Sequence, residues 1–86
     1  SGPYAALRRW RLKTAKQRKV PAFTVMHDKS LEELCRVQPT DLAALRRVHG
    51  FGERKTDMYG EEILAVLARF HLSKRQAAGS ARPALR

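Results

Sequence analysis

Leu42-Ala43-Ala44-Leu45-Arg46-Arg47-Val48-His49-Gly50-Phe51-Gly52-Glu53-Arg54-Lys55 reads as helix, glycine turn, helix. Leu42, Leu45 and Val48 recur at helical spacing and give the first of these helices one apolar side. Thr40 stands where an N-cap belongs, so this helix is expected from Asp41 to about Arg47. The second helix is expected from near Glu53 to about Phe70 or His71. Its Tyr59, Ile63, Val66, Leu67 and Phe70 fall within about 100° of arc. Gly60 lies inside that helix, where glycine costs about 1 kcal/mol against alanine. The simplest reason for a glycine there is another helix passing close.

The turn itself admits two readings. Glycines let a phosphate approach the backbone, and the unpaired N–H groups that open the next helix point toward such an anion. Arg54 and Lys55 would add charge at the same place. Apolar–x–x–apolar–x–Gly–apolar–Gly before a helix resembles a helix-hairpin-helix, which grips the DNA backbone without reading sequence. The other reading is an αα-hairpin whose glycines serve the turn and close packing. Glu53, Asp57, Glu61 and Glu62 make the segment nearly neutral.

Working toward the N-terminus, Ser30-Leu31-Glu32-Glu33 fits a capping box, with Asp28 as an alternative cap. Leu31, Leu34, Cys35 and Val37 are the expected inward side of that helix, and Pro39 stops it. Pro21-Ala22-Phe23-Thr24-Val25-Met26 has no second strand to pair with, so it reads as a turn or a short 3₁₀ piece. Tyr4 to about Gln17 reads as an amphipathic helix, with Tyr4, Leu7, Trp10 and Ala15 within about 140° of arc. Arg9, Lys13 and Lys16 cluster opposite. Arg11 and Arg18 fall near the apolar seam, where an arginine must snorkel or find a carboxylate. Asp28 is the candidate partner of Arg11, if it is not a cap. Trp10, Tyr59 and Phe70 are expected in the core. Phe23 either packs inside or stacks on an unpaired base.

The charge is uneven. The chain of 86 residues carries 18 Lys+Arg against 8 Asp+Glu, a formal net charge of +10. Residues 1–27 hold seven of the basic side chains and no acid, residues 28–71 are nearly balanced, and residues 72–86 hold four basic and no acid. Such a field attracts polyanions: nucleic acid first, an acidic membrane surface or acidic protein second. The bland alternative is a solvated basic face.

Composition excludes much. One small domain is too short for a complete motor enzyme, a Rossmann enzyme or a barrel. The lone Cys35 excludes a disulfide framework and a Cys-based zinc site. His27, His49 and His71 have no metal-ligand spacing, and Lys55-Thr56 lacks the glycines of a nucleotide loop. No nucleophile–base–acid set is visible, and no cofactor motif. No apolar run reaches membrane-span length, and there is no signal-peptide pattern. Ser1-Gly2-Pro3 looks like a protease-cleavage scar on a domain excised from a longer protein. Beyond Ser73 the composition shifts to Lys, Arg, Gln, Ala, Gly, Ser and Pro. That basic tail, 72–86, is expected to be disordered, as a linker or an extra anion-binding arm. The expected architecture is all-α, a compact bundle of four to five short helices over 4–71, monomeric.

An ordered set of motifs resembles one family. Leu7-Arg8-Arg9-Trp10-Arg11, then Val20-Pro21-Ala22-Phe23-Thr24-Val25-Met26-His27-Asp28, then Leu31, resembles the first half of an HRDC domain, the helicase and RNase D C-terminal module. Pro39-Thr40, Leu42, Leu45, Gly50-Phe51-Gly52, Lys55 and Tyr59-Gly60 resemble its second half. The resemblance covers about residues 4–70. It implies a five-helix bundle and a non-catalytic DNA-binding module of a RecQ-type helicase acting in repair or recombination, or of RNase D or a UvrD-like helicase. It also implies an intracellular setting, in cytoplasm, nucleoid or nucleus. Phe23 matches the turn aromatic that some members use on single-stranded DNA, and Lys55 matches a basic position opening the last helix. Some members instead dock on their own helicase core or on partners, and RNA is a further ligand class. The nucleic-acid-binding set expected from charge and resemblance is Arg9, Lys13, Lys16, Arg18, Lys19 and Phe23, with Arg54 and Lys55 as a secondary contact.

Overall fold

A computed structural model describes the backbone of residues 2–80 and the side chains of residues 2–71. Five helices follow in order: α1 (Pro3–Arg18), α2 (Ala22–Val25), α3 (Asp28–Val37), α4 (Leu42–Arg46) and α5 (Glu53–Ser80). No strand occurs among the described residues. α1 packs against α2, α3 and α5, and α4 packs against α5. The shared core comprises Leu7 from α1, Val25 and Met26 around α2, Leu31 and Leu34 from α3, Leu45 from α4, and Ile63 and Leu67 from α5.

Pro3 at the first helical position opens α1, where its missing N–H would have had no partner. A left-handed residue closes it: Lys19 has φ 58°. The Lys19 N–H donates to Lys16 O at 3.2 Å, and the Val20 N–H reaches back to Ala15 O at 3.0 Å. That 6→1 and 5→2 pair is a Schellman ending, and it turns the chain into Pro21. Lysine in the left-handed region costs more than glycine would. Lys19→Gly should therefore raise stability by about 0.5–1 kcal/mol, read as a higher urea midpoint at unchanged slope.

Pro21–Met26 forms one α-helical turn rather than a 3₁₀ piece. Stepping around it sends Val25 and Met26 inward, 0% and 1% exposed, and leaves Phe23 61% exposed. Phe23 is therefore not a core residue. Tyr4, expected on the apolar seam, is 41% exposed. It sits in the first turn, where side chains lean back past the helix start and beyond the neighbouring elements. Trp10 is half-buried; its indole N–H donates to Glu62 Oε1 at 2.8 Å, and its ring meets Tyr59 edge-on at 5.5 Å.

Arg11 finds its carboxylate. Its guanidinium pairs with Asp28 Oδ1 at 2.9 Å and donates to the Met26 carbonyl at 2.8 Å. A buried arginine thus ties the end of α2 and the start of α3 to α1.

Three expected details change. The Ser30–Glu33 capping box does not cap α3, whose N-cap is His27 without a side-chain bond. Ser30 lies one turn inside, and its hydroxyl donates to the His49 carbonyl at 2.6 Å. Glu33 Oε2 accepts the His49 N–H at 3.3 Å. Both polar side chains hold the glycine turn instead of their own helix end. Asp41, not Thr40, caps α4: its Oδ1 accepts the Ala44 N–H at 2.8 Å. Val37 is 42% exposed, because it lies about 120° around α3 from Leu31.

α5 continues to Ser80, past the end expected near His71. Lys74, Arg75, Gln76, Ala77 and Ala78 are good helix formers, so nothing local stops it. The rest of the basic tail, 81–86, lies outside the described residues.

The glycine inside α5 has the expected cause. A Cβ on Gly60 would stand 2.7 Å from Leu42 Cδ2 and 3.4 Å from Leu45 Cδ2 of α4. Gly60→Val should overpack that crossing and cost about 1–3 kcal/mol, measured by denaturant unfolding.

Candidate nucleic-acid interface

The Schellman ending of α1 delivers Arg18 to the first turn of α5. Between them opens a cleft of about 290 Å³. Its cations are Arg18 from α1 and Arg54 and Lys55 from α5. Its apolar walls are Val20, Met58 and Tyr59, and Thr24 of α2 contributes a hydroxyl. The Arg18 guanidinium carbon lies 5.5 Å from the centre of the Tyr59 ring. That cation–π contact orients the arginine without neutralising it. Among the described residues the one ion pair is Arg11–Asp28, so no carboxylate sits within 4 Å of the three cleft cations.

The acids of α5 do not cancel this. Glu53 and Asp57 share the first turns of the helix, yet neither lines the cleft. Glu62 is bonded to Trp10. Within the near-neutral hairpin, Arg54 and Lys55 line the cleft and no acid does.

Phe23, next in sequence to Thr24, is exposed and does not line the cleft; its ring lies 6.1 Å from the His27 ring and is tilted by 32°. An exposed aromatic next to cations is the arrangement on which an unpaired base can stack. The second turn aromatic, Phe51, is 5% exposed and anchors the hairpin in the core.

Arg9, Lys13 and Lys16 are exposed as expected but do not reach the cleft. They form a stripe on the outer side of α1, and Lys16 points away from Arg18 because residues two apart on a helix diverge. Lys19 is exposed at the hinge between stripe and cleft. The eight expected residues thus divide: Arg18, Arg54 and Lys55 line the cleft, while Arg9, Lys13, Lys16, Lys19 and Phe23 do not. Val20, Thr24, Met58 and Tyr59 were not expected to line a site. Tyr59 was legible as core, and nothing in its spacing signals that one face of the ring stays open to Arg18.

Other chemistry finds no support among the described residues. No group of three His, Cys, Asp or Glu side chains could hold a metal ion. Burial pushes the Cys35 thiol up, away from the thiolate that a nucleophile needs. No helix is long and apolar enough to cross a membrane.

A family model for the HRDC domain matches residues 3–67, which spans all of α1 to α4 and half of α5. The chain is an HRDC domain. Among solved structures it is similar to the D. radiodurans RecQ HRDC domain 3, with a TM-score of 0.76 and 37% identity, over 79% of this chain and 90% of that one. Among curated proteins, this HRDC domain is 43% identical over 61 residues to the ATP-dependent DNA helicase UvrD2 of Mycobacterium tuberculosis (strain ATCC 25618 / H37Rv). It is 28% identical over 64 residues to the ATP-dependent DNA helicase RecQ of Pasteurella multocida (strain Pm70). These alignments take in 71% and 74% of this chain but 9% and 10% of the helicases. The HRDC domain therefore corresponds to a small part of each relative.

Proposed function

We propose that this HRDC domain is a non-catalytic accessory module of an ATP-dependent DNA helicase, and that it holds single-stranded or junction DNA in the Arg18–Arg54–Lys55 cleft. The observation that carries this reading is the convergence of three cations, none of them paired with a carboxylate, from the end of α1 and the start of α5 on an apolar-walled cleft, with the exposed Phe23 next in sequence to its lining residue Thr24. Phosphates would pair with the cations, and bases would pack against the exposed Phe23 and Met58. Arg9, Lys13, Lys16 and Lys19 would add a long-range attractive field. The relatives named above are DNA helicases, which favours a helicase over a nuclease as the host. That reading also favours DNA over RNA as ligand and an intracellular site of action.

The test is a titration of the ¹⁵N-labelled domain with a short oligothymidylate at low and moderate salt. Shifts at Thr24, Lys55 and Tyr59 that fade with added salt are expected. Shifts confined to the outer stripe of α1 would move the site there. No shifts at low salt, with single-stranded or forked DNA, would overturn the reading.

A further inference from the structure

The outer face of α1 carries a feature that binding at the cleft leaves unused. Leu12 is 50% exposed and Tyr4 41% exposed. With Ala5 they edge a shallow depression of about 290 Å³, and Arg8 and Arg9 complete its lining. Tyr4, Arg8 and Leu12 fall within about 80° of arc at successive turns. Lys16 follows Leu12 one turn further along the helix.

The chemistry of this face differs from that of the cleft. Its centre is apolar and its border is cationic. A phosphate backbone asks for charge and donors, and gains nothing from a leucine. A partner carrying both an apolar anchor and carboxylates matches both parts. No acid occurs in residues 1–27, so nothing on α1 competes for Arg8 and Arg9. With a net charge of +10, a second copy of this chain would be repelled rather than bound. We propose that this face docks an acidic amphipathic peptide segment. One apolar side chain would seat between Tyr4 and Leu12, and flanking Asp or Glu would pair with Arg8 and Arg9. The proposal is independent of the cleft.

The probe is a short synthetic peptide with Leu and Phe one helical turn apart among Glu and Asp. The control is the same peptide with Leu and Phe replaced by Gln. Titrated into the ¹⁵N-labelled domain, the probe should shift the amides of Ala5, Arg8 and Leu12 and leave those of Thr24 and Lys55 unmoved. Leu12→Ala, at an exposed position that the fold tolerates, should weaken the probe about tenfold. Arg8→Glu should abolish binding at low salt. Equal binding of the control would show charge attraction alone and overturn the proposal. So would displacement of the probe by oligothymidylate from the Ala5 and Leu12 amides, which would assign the face to nucleic acid. Absence of any shift with the probe would overturn it as well.

Discussion

An Arg18→Glu/Lys55→Glu double variant should bind oligothymidylate at least about tenfold more weakly, with a shallower salt dependence. Each phosphate contact on a single strand contributes about 0.7 to the slope of log K against log salt, so two lost contacts should flatten it by about 1.4. Both residues lie on the surface of their helices, and Arg18 loses a single cation–π contact, worth about 0.5–1 kcal/mol. Folding should therefore persist, which the dispersion of the amide spectrum can verify. The comparison variant is Arg9→Glu/Lys13→Glu/Lys16→Glu. It reverses more charge, but on the outer stripe. None of the three lines the cleft, so they act on a ligand there through the field rather than by contact, and salt screens that field. Its effect should be clear at low salt and small at moderate salt. If the triple variant loses more affinity than the double at both salts, the cleft is not the main contact. Trp10 offers a second readout: it is the chain's sole tryptophan and meets the edge of Tyr59, so drawing Arg18 onto a phosphate should alter its emission.

Gly50→Ala should be the most destabilising small substitution in the domain. Gly50 has φ +85°, a conformation in which a side chain costs about 1–2 kcal/mol. A Cβ there would also collide with Ser30 Oγ, the hydroxyl that donates to the His49 carbonyl. Ser30 is 2% exposed, so displacing it leaves a buried polar group unpaired, at about 1–3 kcal/mol. Together these amount to about 2–5 kcal/mol, a large fraction of the stability of so small a domain. The neighbouring glycine is the control. Gly52 has no positive φ, and a Cβ there meets nothing within 4 Å. Gly52→Ser, at the position whose carbonyl accepts the Thr56 N–H, should be neutral or slightly stabilising, as serine is a good N-cap. In a Ser30→Ala background the cost of Gly50→Ala should shrink toward the backbone term alone, because the collision has gone. Equal costs in both backgrounds, read from chemical denaturation, would exclude the Ser30 latch as a cause.

How far the sequence could be read depended on the range of each interaction. The helices, their order and their stops at Pro21, Pro39 and Gly50 follow from spacing and local backbone chemistry. So does the need of Arg11 for a carboxylate, and Asp28 supplies it. Gly60 announced a close neighbour because glycine has little other reason to sit in that helix. The capping residues were harder. Ser30 and Glu33 fit a helix start on paper, yet the turn at His49, far along the chain, offered them better-placed partners. Likewise Thr40 and Asp41 are both good caps, and the geometry of one residue separated them. Phe23 could be placed inside or outside only once the single turn of α2 had sent Val25 and Met26 inward.

The sequence by itself determined an all-α domain, its basic N-terminal helix and its glycine turn, because periodicity, charge and turn chemistry are local; its family was legible only as a resemblance of ordered motifs. Only the tertiary structure decided which cations lie together. It set Arg18 beside Arg54 and Lys55 in a cleft that no acid lines, and it left Arg9, Lys13 and Lys16 outside that cleft. Charge counted along a chain is a sum, whereas a binding site depends on the direction in which each side chain leaves its helix and on how two helices meet.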